Sequence, residues 1–301
     1  MSIKIGIDLG GTKIEVIALT EQGEPLFRQR THTPQGDYNA TVNCIAELVT
    51  AAEQACQDHA EAIGVGIPGA ISPATGLIKN ANSTCLIGQR LDDDLEKLLK
   101  RPIRLANDAD CFALSEAIDG SATGYNSVFG VILGTGVGAG IVINKTLLSG
   151  PNAICGEWGH NPLPWPVPSD NLQRACYCGK QDCIETFLSG PGFSSALPSN
   201  TGLTSLAIWQ RARAGDRSCQ THCDLYIEQL SKALASIINV LDPSVIVLGG
   251  GLSNIDEIYE QVPKRLATYL FSASHNSDPV LTPIVKAKYG DSSGVRGAAW
   301  L

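Results

Sequence analysis

From Ile3 to Thr20 the chain reads IKIGIDLGGTKIEVIALT, with β-branched residues alternating on both sides of Gly10 and Gly11. That alternation predicts two strands joined by a glycine turn. VFGVILGTGVGAGIVIN, from Val128 to Asn144, repeats the plan around Gly134 to Gly138, so the chain carries an internal duplication. Helical text follows each hairpin, as in ATVNCIAELVTAAEQA, and then short buried-strand text such as AIGVGIPG and SVIVLGGG. DLYIEQLSKALASIINVL has apolar positions at helical spacing and stops before Asp242-Pro243, and Ser253 is expected to cap the next helix. Strands mixed with helices in this way predict an α/β architecture. WPVPSDNLQR is expected to be an exposed loop, and DGSATGYN, Asp119 to Asn126, a passage between lobes.

Composition narrows the function classes. At 301 residues the chain has ample material for a buried core, and its ten cysteines, in a chain that opens MSIKIGIDLGG with no charged n-region and apolar h-region, point to a reducing cytoplasm and to thiols that are free or metal-bound. Apolar runs such as VIVLGGG are too short and glycine-interrupted for a membrane span. A net charge of −8 argues against nucleic acid as the principal partner, although backbone amides can still hold phosphate locally. The 31 glycines fall in phosphate-loop-like clusters rather than in a linker.

CYCGKQDC holds Cys176, Cys178 and Cys183 on one tight loop, and with His160 of EWGH they make a closed tetrahedral zinc set. Zinc there would fix the carboxylates of Glu157 and Glu185, which suit sugar hydroxyls; Asn80, Asn82 and Ser83 in KNANST add neutral donors and acceptors. Cys219, His222 and Cys223 lack a fourth ligand and are expected to be ordinary helix residues. GTGVGA at Gly134 to Ala139 fits a dinucleotide fingerprint, but the strand GIVIN follows it where a helix is required, so the turn must present its amides from a hairpin. DLGGTK offers the same kind of amides, the Thr12 hydroxyl, the Lys13 ammonium and the Asp8 carboxylate, which can hold magnesium through water. In RLANDADCFALSEA, Asp108 stands between strand text and helix text, open to two readings: a general base at a cleft, or, with Asn107, a helix cap.

DLGGTK, GIPG, NDAD, GTGVGAG, GEWGH, CYCGKQDCIE and VLGGG, in this order, closely resemble the sugar kinases of the ROK (repressor, open reading frame, kinase) family, and SGPGF and GDSSGVRGAA resemble that family's closing segments. The stretch GIPGAISPATGLIKNANSTCLIGQ looks most like the fructokinase and mannokinase branch. The resemblance implies an actin-like ATPase (ribonuclease H-like) fold in two α/β lobes with a central cleft: residues 1–119 plus 286–301 as a small lobe and 120–285 as a large lobe with the zinc loop. It further implies ATP and Mg²⁺ at Asp8, Gly10, Gly11, Thr12 and Lys13 and at Gly134, Thr135 and Gly136, with Gly249, Gly250 and Gly251 near adenosine. Asn82, Asn107, Glu157, His160 and Glu185 would bind the hexose, Asp108 would take the proton, and zinc would sit on His160, Cys176, Cys178 and Cys183. The expected activity is transfer of the γ-phosphoryl group of ATP to the 6-hydroxyl of fructose, and of mannose, in a cytoplasmic homodimer. N-acetylglucosamine kinase or glucokinase is the alternative, and a sugar-sensing repressor a distant one, because only seven residues precede Asp8. Two departures stand out: the family usually has glycine where Asp182 stands, and WPVPSDNLQR lengthens the path from His160 to Cys176.

Overall fold

A computed structural model describes residues 3–81, 83–197, 202–271 and 279–301. The first glycine-turn segment folds as expected: β1 (Lys4–Leu9) pairs antiparallel with β2 (Lys13–Leu19), and β2 with β3 (Pro25–His32). Helix α1 (Tyr38–Cys56) starts at Asp37, whose side chain accepts from Ala40 N, and leads to β4 (Ile63–Ile67), β5 (Ala70–Ile71) and β6 (Ile78–Lys79). Next come α2 (Leu91–Leu99), β7 (Ile103–Asn107) and α3 (Asp108–Ile118). The second hairpin is β8 (Ser127–Leu133) and β9 (Val137–Ile143), extended by β10 (Thr146–Leu147). Short helices α4 (Glu185–Leu188) and α5 (Gly190–Ser195), then α6 (Ser205–Arg213) and the long α7 (Arg217–Leu241), precede β11 (Val245–Gly249). The chain closes with α8 (Asp256–Leu266), β12 (Ile284–Lys286) and α9 (Ser293–Ala299).

The two five-stranded sheets run β3-β2-β1-β4-β7 and β10-β9-β8-β11-β12. In each, a hairpin extended by a third strand continues through parallel partners, β1 with β4 and β4 with β7, β8 with β11 and β11 with β12. The duplication legible in the glycine turns is thus a duplicated sheet topology, that of the actin-like ATPase fold. The compact units are Met1–Gly124 with Gly140–Cys155 and Lys288–Leu301, and Tyr125–Ala139 with Gly156–Ala287.

In the first unit, Ile5, Ile7, Ile63 and Val65 join Ile45, Leu48 and Val49 of α1 in one buried core. The opposite face of the sheet is closed by α9, which approaches closely because its strand neighbours are glycines: a Cβ on Gly6 would stand 2.3 Å from Val295 O, and one on Gly64 1.7 Å from Ala298 O. Polar anchors fix the helix: Ser293 donates to Glu116 at 2.8 Å, and Arg296 pairs with Asp119 and donates to Gly23 O at 2.7 Å.

Two local expectations fare differently. Helix α7 does stop at Asp242, which takes the left-handed conformation at φ 46° before Pro243. Ser253 does not cap α8: it lies in a 3₁₀ turn, Gly251–Asn254, with its hydroxyl committed to Gly250 O at 2.7 Å, and α8 starts two residues after that turn. Among the described residues, no helix is long and apolar enough to cross a membrane.

Candidate active site

The turn between β1 and β2 is closed by Gly10 N donating to Lys13 O at 3.0 Å and steadied by Thr33, whose hydroxyl donates to Gly10 O at 2.7 Å and whose N–H donates to Thr12 O at 3.0 Å. Gly11, Thr12 and Lys13 stay exposed at its tip. Asp8 lies opposite Glu15 in the strand register, and Glu15 is buried under ion pairs with Arg28 and Arg30. Burial, followed by the Asp108 and Glu15 carboxylates and opposed by Arg30, raises the Asp8 carboxyl from 3.8 to about 6. A carboxyl raised by folding binds its proton more tightly in the native state, so its ionisation destabilises the fold above pH 6, and stability is regained as pH falls from about 6 to about 4. Asp8→Asn is therefore expected to unfold at a higher temperature than wild type at pH 8 without magnesium, with the advantage shrinking toward pH 4. An advantage independent of pH in thermal melts across that range would remove the assignment.

Strand β7 ends and α3 begins between Asn107 and Asp108. Asn107 is the cap: its Oδ1 accepts from Ala109 N at 2.9 Å, and its amide donates to Gly69 O at 2.9 Å. Asp108, the first helical residue, has an Oδ1 that also accepts from Ala109 N, at 2.8 Å, but the cap does not depend on it. Its surface is open to solvent, yet the protein mass around its carboxyl raises the pKa by desolvation, offset in part by the Ala109 N–H. An accessible carboxylate of raised basicity, at a strand-to-helix junction, is equipped to take a proton.

In the second unit, the β8–β9 turn is closed by Gly134 N donating to Gly136 O at 3.0 Å, leaving Thr135 exposed at its tip. Glu185, the first residue of α4, meets this turn directly: its Oε2 accepts from Val137 N at 2.9 Å and would lie 2.7 Å from a Cβ on Gly136. That contact, which has no local signature in the chain, explains a glycine at 136 by the carboxylate beside it. Gly249 ends β11, Gly250 has φ 82° against Leu133 O, and Gly251 faces open space.

Glu157 and His160 share a 3₁₀ turn whose buried Trp158 meets the Phe129 ring edge-on with centroids 5.6 Å apart. One donor atom from each of His160, Cys176, Cys178 and Cys183 falls within 4.8 Å of the others, the only such group among the described residues. His160 turns Nδ1 toward Cys176 Sγ at 3.5 Å and Nε2 toward Tyr177 OH at 3.0 Å, and Cys178 Sγ lies 3.6 Å from Cys183 Sγ. Three sulfurs and one imidazole at this spacing fit Zn²⁺ in a closed structural site. Asp182 meets the demand for a left-handed backbone at φ 56°, and its Oδ1 accepts from Arg174 N at 2.9 Å, so aspartate serves there in place of glycine. Cys219, His222 and Cys223 are buried helix residues, with His222 bonded to Phe193 O at 2.7 Å and stacked on that ring. Asn82 lies outside the described residues.

The segment expected to be an exposed loop hides a buried group. Val167, Pro168 and Ser169 are exposed, but Asp170 is fully buried, accepting from Lys232 Nζ at 3.0 Å, Gln229 Nε2 at 3.1 Å and Val167 N at 2.8 Å. The proline-flanked polar text masked this, because the partners stand about sixty residues away on α7.

Over residues 4–301 the chain matches the sequence profile described as the ROK family. It is 42% identical over 307 residues to an N-acetyl-D-glucosamine kinase of Pasteurella multocida, with 99% of each chain covered. The crystal structure of a ROK hexokinase from Thermus thermophilus superposes with a TM-score of 0.86 at 27% identity, covering 99% of this chain and 97% of that one. A ROK family glucokinase from Streptomyces griseus, in complex with glucose and AMPPNP, gives a TM-score of 0.73 at 26% identity over 99% and 98% of the two chains. The expected placement in the fructokinase and mannokinase branch, and with it fructose as acceptor, is corrected: relatives from 37 to 42% identical over nearly the whole chain carry the N-acetyl-D-glucosamine kinase name. The fructokinase-like stretch GIPGAISPATGLIKNANSTCLIGQ is a short piece of the chain and is outweighed by kinship over nearly its whole length, since a few contacts at the 2-position of the sugar suffice to change the preferred hexose. Full-length agreement in sequence motifs, sheet topology and relatives makes this chain a member of the ROK family.

Proposed function

We propose that the chain transfers the γ-phosphoryl group of ATP to the 6-hydroxyl of N-acetyl-D-glucosamine. Kinship at 42% identity, end to end, with a kinase of that name is the observation that carries the substrate. Asp108 accepts the proton of the 6-hydroxyl as its oxygen bonds the γ-phosphorus; the bond from that phosphorus to the β,γ-bridging oxygen breaks, and ADP leaves. Asn107 holds the sugar beside Asp108 while keeping its own ring of bonds to Ala109 N and Gly69 O. Glu157, His160 and Glu185 accept or donate to the remaining hydroxyls and the acetamido group.

Amides of the two glycine turns, Gly10 to Lys13 and Gly134 to Gly136, meet the phosphates, and Gly249 to Gly251 leave room for adenosine. Magnesium, held through water at Asp8, would neutralise charge on the phosphates. Zinc on His160, Cys176, Cys178 and Cys183 would supply rigidity and no reactive ligand position.

The test is ADP release with ATP and magnesium, comparing N-acetylglucosamine, glucose, mannose and fructose at matched concentrations against a no-sugar blank. N-acetylglucosamine is expected to give the highest kcat/KM, by roughly tenfold or more over glucose, since a site built to pair the acetamido group leaves polar atoms unpaired without it. Glucose or fructose as the best acceptor would overturn the substrate assignment, and no sugar-dependent ADP release would overturn the activity.

A further inference from the structure

Arg174 sits between the buried Asp170 and the start of α4, and its guanidinium is spent on main-chain carbonyls. Nε donates to Asn171 O at 3.1 Å and Nη2 to Asp170 O at 3.2 Å on one side; Nη1 donates to Thr186 O at 2.8 Å on the other, and the group lies 4.0 Å over the Phe187 ring. Asp170 is itself fixed to α7 through Lys232 and Gln229. Thr186 and Phe187 immediately follow Glu185, and Glu185 Oε2 holds Val137 N of the glycine turn at 2.9 Å. An unbroken line of bonds therefore runs from the core helix through Arg174 to the carboxylate that touches the phosphate turn. A planar fork suits this: its N–H donors point in fixed directions from three nitrogens, whereas a lysine offers three donors from one nitrogen on a flexible stem.

We propose that Arg174, seated on the Asp170–Lys232 pair, is a positioning residue that sets Glu185 so that one oxygen holds the Gly136–Val137 turn while the other stays available to the hexose, coupling sugar recognition to the phosphate turn. This rests on the reading of Glu185 as a hexose contact. Misplacing a reacting or positioning group by about 1 Å can cost on the order of a hundredfold in rate.

The experiment is a double-mutant cycle on the full-length enzyme with Arg174→Met, Glu185→Gln and both together, measuring kcat and KM for N-acetylglucosamine and ATP, with zinc per chain and thermal unfolding recorded for each. Arg174→Met alone is expected to lower kcat/KM by on the order of a hundredfold, with both substrates' parameters affected and zinc content at the wild-type level. On the Glu185→Gln background the same change should cost about twofold or less, because the residue it acts through is already lost. Arg174→Lys is expected to restore only part of the rate, and it replaces Arg174→Met in the cycle if the latter fails to fold. Additive losses, or wild-type kinetics for Arg174→Met, would overturn the coupling while leaving Glu185 as a hexose contact. Wild-type kinetics for Glu185→Gln would overturn both the coupling and that reading of Glu185; the activity itself is judged by the sugar panel above.

Discussion

Asp108→Asn is expected to lower kcat by about 10²–10⁴-fold, the range that a positioned general base contributes, while the dissociation constant for N-acetylglucosamine stays within a few-fold of wild type. The substitution isolates the proton transfer because little else depends on the carboxylate. Asn107 already caps α3 through Oδ1 to Ala109 N at 2.9 Å, and an amide at 108 can still accept the second bond that Asp108 Oδ1 takes from the same N–H at 2.8 Å. Fold and sugar affinity should persist, and only basicity is lost. The pH profile supplies an independent check: desolvation raises the Asp108 pKa, so wild-type kcat/KM should fall as pH drops through that raised value and the carboxylate is protonated. Turnover of Asp108→Asn close to wild type, in a coupled ADP assay with saturating hexose, would remove Asp108 as the base.

Lys232→Met is expected to destabilise the protein by about 3 kcal/mol, measured from the urea midpoint and slope. Lys232 and Asp170 are both buried and joined at 3.0 Å, so removing the ammonium leaves a carboxylate out of water, with Gln229 Nε2 and Val167 N still donating to it and the Arg174 guanidinium charge nearby. Those two neutral donors are why the lower end of the usual range is expected. Asp170→Leu combined with Lys232→Met removes both charges and should recover most of the loss, since apolar residues of similar volume often replace a buried pair without net cost. A single-variant loss below about 1 kcal/mol would mean that the pair is hydrated or rearranged in solution.

The α/β class, the two hairpins, their duplication, the end of α7 and the clustering of Cys176, Cys178 and Cys183 on one loop were all legible in the sequence, because each depends on residues near one another in the chain. Alternation of β-branched residues around Gly10–Gly11 and Gly134–Gly138 specifies strand, turn and strand locally, and C-x-C-x4-C places three sulfurs on one loop whatever surrounds it. The same locality limits what those motifs say about substrate: choosing between a 2-hydroxyl and an acetamido group needs contacts that no motif spells out. Whether Asn107 or Asp108 caps α3 was open in the text NDAD, since either Asx residue can serve, and only the folded geometry assigns the cap to Asn107 and leaves Asp108 accessible.

Tertiary structure alone decided the features built from residues far apart in the chain. Gly6 and Gly64 look like ordinary strand glycines until α9, more than two hundred residues later, lies against them. Asp170 looks like loop polarity until Lys232 arrives on α7, and Glu185 looks like a residue beside a zinc loop until Val137 N donates to it. Local patterning records the preferences of one segment, whereas burial of a charge and close approach of two backbones are properties of a pair, and the second member of each pair is supplied only when the chain folds.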